Sequence, residues 1–336
     1  MEKKERESNI ELLRIISMVL VMVVHADFMA LGIPSQVDIS DFPVSSFMRL
    51  FTESVSIVCV NLFVLISGWF GIRFKLIRLG GLLFQVLFFC IVMCSIILCL
   101  GVRVSIRYSE IVKLLCEDYW FVFAYVILYL FAPALNNFVE KESKRNVEYF
   151  LFVFFFFQTI FGFILSLSWF SNGYSPISFM GLYVLGRYLH IYPNIFIKQK
   201  QHIHILVYIG MIIATTCLAY LFFMMKVYLF KAYSYSSPFV IMGSISLFLF
   251  FTKMSFRSNI INWIATSCFS IYLVHCSPVF FERVYLYYIK EWYINMNNPS
   301  FLIFTSLWIT LLFILSVLMD KIRIAIWQKI CHLFEW

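Results

Sequence analysis

The chain has 336 residues, of which 62% are apolar and only 13% charged, and its mean hydropathy is +0.89. A water-soluble domain of this length is not so apolar, so the protein belongs in lipid. The net charge of +8 does not indicate nucleic acid, because Lys and Arg sit in short clusters between apolar runs rather than along one face.

A membrane-spanning helix needs about 20 apolar residues. Runs of that kind, broken by charge clusters or turn residues, fall at about 10–31, 50–71, 79–100, 119–136, 147–168, 177–193, 203–224, 237–254, 263–280 and 300–320. The expected fold is therefore all-α, a polytopic membrane bundle of about ten helices, with residues 1–336 as a single transmembrane domain. The charged start followed by an apolar run has the outline of a signal peptide. That run, however, carries Glu11, Arg14, His25 and Asp27 and lacks a small-x-small cleavage site, so it reads as a retained first helix.

With the N-terminus inside, 17 of the 26 Lys and Arg residues fall in cytosolic segments and 8 in outer ones, Arg14 lying within helix 1. Both termini are accordingly expected in the cytosol. The longest outer connection holds a helix-like stretch from Ser109 to Asp118 that would lie on the membrane or dip into it. Forty Phe, 19 Tyr and 8 Trp are spread over every segment and read as lipid-facing packing and interface anchors, with no chemistry assigned. Nine cysteines are scattered singly, without a CxxC pair, and read as small hydrophobes. His202 and His204, two residues apart, cannot share a helix face, and His190 sits in a basic stretch, so no metal site is expected.

Ionisable groups inside a bilayer cost a few kcal/mol each, and those that persist face a cavity and act there. Helix 1 carries four, Glu11, Arg14, His25 and Asp27. Arg14 and His25 are eleven residues apart, three helical turns and about 20°, which puts them on one face about 16 Å apart along the axis. Glu11, three residues before Arg14, offers the guanidinium a partner. The residues alone leave open a structural ion pair with a core histidine, or a catalytic pair. His275 closes the ninth span and Glu53 opens the second, both near the depth of His25. Two histidines and a carboxylate at one depth could supply a base, its orienting partner and an acceptor site.

The stretch ELLRIISMVLVMVVHADF resembles the first helix of the acyltransferase 3 family, whose signature is an Arg or Lys, ten residues and a His. NLFVLISGWF (Asn61–Phe70) is similar to the end of the family's second helix, YWFVFAYVILYLFAPALN (Tyr119–Asn136) to its fourth and LYVLGRYL (Leu182–Leu189) to its sixth. SYSSPFVIMGSISLFLFF and SCFSIYLVH (Ser267–His275) are similar to its late helices. The resemblance covers nearly the whole chain, and ten helices is the family's number.

The resemblance implies an enzyme that moves an acyl group, commonly acetyl, from acyl-CoA to a hydroxyl of an envelope polysaccharide or lipid-linked sugar at a bacterial cytoplasmic membrane. It implies that Arg14 and His25 are essential, with His25 as general base or as an acylated nucleophile. The family's basic Arg-x-x-Arg element, taken to meet the CoA phosphates, corresponds to Lys75-Leu-Ile-Arg78, with Arg73 two residues earlier. Lys75 keeps the charge and loses the bidentate fork, and the same cluster serves as a positive-inside anchor. No prosthetic group is expected; the partners are acyl-CoA, a glycan acceptor, the bilayer and polysaccharide-assembly proteins. A polytopic transporter or flippase for lipid-linked glycan is the competing class, and it predicts paired broken helices in two halves, which this sequence does not display. A subunit that only hands acyl groups to a separate transferase would share the donor site.

Overall fold

The computed structural model describes residues 6–99, 101 and 119–334. The chain folds as an all-α polytopic membrane bundle, with no strand among the described residues. The helices, in chain order, are α1 (Ser8–Val24), α2 (Gln36–Asp41), α3 (Pro43–Ser56), α4 (Cys59–Phe70), α5 (Leu76–Cys99), α6 (Trp120–Lys141), α7 (Lys144–Phe157), α8 (Pro176–Ile191), α9 (Ile195–Lys198), α10 (Gln201–Met224), α11 (Pro238–Thr252), α12 (Asn259–Ala265), α13 (Cys268–His275), α14 (Tyr287–Asn295) and α15 (Asn298–Leu333). The face of the bundle at which α1 begins is called the near face, and the opposite one the far face. The stretch expected from Ser109 to Asp118 lies outside the described residues, as do Lys3, Lys4, Arg103, Arg107 and Lys113.

Among the described residues eight helical stretches are long and apolar enough to cross a membrane. The other two expected spans are realised differently. The sixth is a 16-residue helix, α8. The ninth is split into α12 and α13 around Thr266 and Ser267. The second span is longer than the sequence suggested, running from Pro43 to Phe70. Arg49 stands just before the expected start and Glu53 falls inside the expected run, and both are accommodated inside the bundle. The tenth continues to Leu333, since neither Gly nor Pro follows Pro299 to stop it and Arg323 pairs with Asp320 one turn away (2.7 Å).

Burial separates centre from rim. The Pro43–Phe70 and Lys231–Thr252 spans are 72% buried, whereas α5, α10 and α15 are 22–28% buried and turn broad apolar faces outward, as lipid contact demands. Close approach of α4 and α8 depends on glycine. A Cβ on Gly68 would stand 2.3 Å from the Tyr183 carbonyl oxygen, and one on Gly186 2.5 Å from that of Leu65. Ser35 caps α2 reciprocally with Asp38, its backbone N–H and hydroxyl together holding that carboxyl below the usual carboxylate range.

Candidate active site

Helix α1 ends abnormally. From His25 to Met29 its winding widens to a π-helical turn, which places Asp27 against α3, where Arg49 Nε donates to Asp27 Oδ1 at 2.6 Å. Arg49 also donates to the Gly32 carbonyl, so one guanidinium ties the end of α1 and the following loop to α3. Two further discontinuities lie nearby in space, at Ile57–Val58 between α3 and α4 and at Thr266–Ser267 between α12 and α13.

All three breaks border one cavity of about 420 Å³. Irregular backbone at membrane depth persists where it lines such a space, because its freed polar groups find partners there. Glu11, Arg14, Met18, Val21, His25 and Phe28 form its α1 wall, a continuous helical stripe about 25 Å long. Arg14 and His25 therefore face the same cavity. At the near end Arg14 Nε donates to Glu11 Oε2 at 3.1 Å, and Arg6 approaches the other oxygen at 3.6 Å. Gln85 of α5 also lines the cavity and donates to Asp320 Oδ1 (3.0 Å), the atom that Arg323 engages.

His275, wholly buried, stands behind His25. Its Nδ1 lies 2.5 Å from the Ile271 carbonyl oxygen, and its Nε2 lies 3.1 Å from His25 Nδ1. A carbonyl oxygen only accepts, so His275 carries its proton on Nδ1 and its Nε2 is an acceptor. His25 must then donate from Nδ1, which leaves its Nε2 as a bare lone pair. Tyr285 and Phe281, in the helical segment before α14, close over the pair with rings 5.3 Å from His275 and 5.2 Å from His25. Cys276 Sγ lies 3.3 Å from His275 Nε2 and 3.5 Å from His25 Nδ1. Among the described residues these three ligand atoms, within 4.8 Å of one another, form a group that could hold a metal ion. The sequence held no such signal, since Cys276 and His275 are neighbours and His25 is 250 residues away.

Glu53 lines the far half of the same cavity, wholly buried, with neither carboxylate oxygen hydrogen-bonded. Beside it the wall is aromatic. Trp120, Tyr174 and Tyr235 have ring centroids 4.5, 4.9 and 6.4 Å apart. Sequence reading assigned the aromatics no chemistry. A usable signal existed, in that Tyr174 and Tyr235 stand in loops just before α8 and α11 rather than on lipid-facing helix surface.

The basic cluster Arg73, Lys75 and Arg78 is exposed and does not line the His25 cavity. Arg73 instead borders a second, polar pocket of about 480 Å³ on the near face, with Asn136, Asn137, Glu140, Arg187 and His190. There Arg187 pairs with Glu140 at 2.5 Å and packs over Gly71, whose φ of +70° leaves no place for a side chain. Ser67 borders the first cavity, and Phe70 and Gly71, one turn on, the second. Arg78 lies one and two turns before Leu82 and Gln85 on the cavity-facing side of α5.

None of the curated proteins and none of the solved structures matches the chain significantly. A family model described as an acyltransferase domain matches residues 7–319, nearly the whole chain. This match decides between the two classes the sequence left open, in favour of acyl transfer. With its helical membrane bundle and a cavity joining Arg14 to His25, the chain belongs to the acyltransferase 3 family.

Proposed function

We propose that the protein transfers an acyl group, acetyl in the simplest case, from acyl-CoA to a hydroxyl of an envelope polysaccharide or lipid-linked sugar at a bacterial cytoplasmic membrane. The observation that carries this reading is the hydrogen-bonded chain Ile271–His275–His25, which ends in an unprotonated Nε2 on a cavity shared with Arg14. In this scheme His25 Nε2 removes the proton from the acceptor hydroxyl as the oxygen attacks the thioester carbonyl. The tetrahedral intermediate expels the thiolate, and the imidazolium returns the proton to that sulfur, giving an ester and a free thiol. His275 acts as a positioning residue, since its Nε2 accepts the hydrogen bond from His25 Nδ1–H, which fixes the His25 tautomer and stabilises the imidazolium.

The near face is assigned to the cytosol by the excess of Lys and Arg in its loops. Donor phosphates then meet Arg14 and Arg6 at the mouth of the cavity, with Arg78 in the first turn of α5 and Arg73 in the adjoining pocket. Lys75 contributes charge alone; its backbone N–H and carbonyl are both held by the Tyr129 hydroxyl at 3.1 Å.

The test is His25→Gln, which fills nearly the same space and cannot take a proton. Acyl transfer to glycan, followed by mass spectrometry in cells with matched protein levels, should fall by roughly 10²-fold or more. Transfer at the wild-type rate would end the base assignment.

A further inference from the structure

Among the described residues four buried carboxylates lie at membrane depth or at its edge, and three have cationic partners, Glu11 with Arg14 and Arg6 at the near end. Asp27 has Arg49, and Asp320 has Arg323 and Gln85. Glu53 is as buried as Asp320 and has no hydrogen-bond partner on either oxygen. A carboxylate that served only the fold would be satisfied by the fold, because an unmade hydrogen bond in a dry interior costs more than the bond contributes. Glu53 lines the cavity, so its missing partners are groups that enter with a ligand.

The neighbours of Glu53 narrow that ligand. A carboxylate repels anions and takes donors, and two free oxygens suit two adjacent hydroxyl groups. Trp120, Tyr174 and Tyr235 present a continuous aromatic wall, with centroids 4.5 to 6.4 Å apart. Aromatic faces pack on flat apolar surface, and a saturated sugar ring combines one apolar C–H face with a rim of hydroxyls. His25, on the same cavity, would meet a further hydroxyl of such a ring.

We propose that the far half of the cavity is an acceptor subsite for one uncharged pyranose-type ring, stacked on the Trp120, Tyr174 and Tyr235 wall and held by adjacent hydroxyls donating to Glu53. The proposal rests on the reading of this cavity as the acyl-transfer site, and it adds that acidic sugars are refused. Refusal follows from chemistry already present, since a uronate would bring a further carboxylate into a space that already holds Glu53 near Asp27, with Arg49, one turn away on α3, bonded to Asp27. Specificity of this kind, built on buried polar groups that the wrong ligand leaves unpaired, is stronger than any apolar pocket provides.

Equilibrium binding to the full chain in lipid nanodiscs, without donor, separates this subsite from the chemistry. The probes are oligosaccharides of neutral hexopyranoses and their hexuronate counterparts. Wild-type protein should bind the neutral probe about 10-fold or more tightly, one well-placed charge-assisted contact being of that order. Glu53→Gln, which keeps the shape and removes the charge, should bring the two affinities together while leaving acyl-CoA binding unchanged. Trp120→Ala should weaken both sugars alike, preserve their ratio, and so report on the subsite if Glu53→Gln does not fold. Equal wild-type affinity for the two probes, or a preference untouched in Glu53→Gln, would overturn the proposal. No transfer occurs in this assay, so an active His25→Gln enzyme would remove the base and leave the subsite standing.

Discussion

Arg14 is the residue whose role the pair with Glu11 most obscures. If it only neutralises that carboxylate, removing both charges together restores function, because the damage in Arg14→Ala is a stranded partner. Arg14 lines the cavity and uses Nε for Glu11, which leaves the terminal nitrogens available to a donor. Arg14→Ala and the Arg14→Ala/Glu11→Ala enzyme should therefore be comparably inactive, while Arg14→Lys keeps part of the rate. Acyl-CoA turnover by purified protein decides this, and a fully active double variant would leave Arg14 as scaffold. Sequence periodicity alone placed Arg14 and His25 on one face. It could not orient the imidazole, because the atoms that do so, on Ile271 and His275, come from the other end of the chain. Glu53 was visible as a charge at the right depth, but its lack of partners is a property of the packed interior only.

At the scale of elements, the spans were legible wherever apolar runs are unbroken, and their boundaries were misread wherever a helix serves the cavity. Arg49, a charge just before the expected start, hid the first two turns of the second span. Ser267 and Thr266 hid the break in the ninth, where a hydropathy scan sees only continuous apolar character. The π-helical turn at His25 has no marker in composition, and the Arg49 that Asp27 meets there lies 22 residues on, in another helix. The helix pair α4 and α8 carries its own signal in Gly68 and Gly186, small residues that let two backbones meet. Gly68→Ala should lower stability by about 2 kcal/mol, as overpacking does in a filled interior. It should also open the second pocket, because Arg187 and Tyr183 ride on α8. Thermal unfolding in detergent measures the first effect, and a wild-type midpoint would show that the backbones can separate without cost.

For the whole molecule, the direction of insertion governs everything proposed about donor and acceptor. Single cysteines introduced at Arg145, in the first turn of α7, and at Lys226, after α10, lie at opposite faces. In a protein freed of its own exposed cysteines, an impermeant thiol reagent applied to intact cells should label position 226 and spare position 145. The reverse pattern would put the Arg14 mouth outside and deny it cytosolic acyl-CoA. The ten-span reading anticipated the bundle but not its unequal parts, since lengths of 16 and 36 residues both arise where packing rather than lipid sets the limit.

The 36-residue α15 runs about 54 Å, well beyond the roughly 30 Å of hydrocarbon in a bilayer. Its last turns must stand clear of the lipid like a mast. On that stretch Trp327 lies against Gly80, Gly81 and Phe84, the opening turns of α5, just past Arg73, Lys75 and Arg78. Tilt or bilayer thickness that shifts the mast relative to α5 would thus move the basic loop, and with it Gln85, whose bond to Asp320 ties this helix pair to the cavity wall. The membrane's own dimensions become a setting on how the donor's charged head is received.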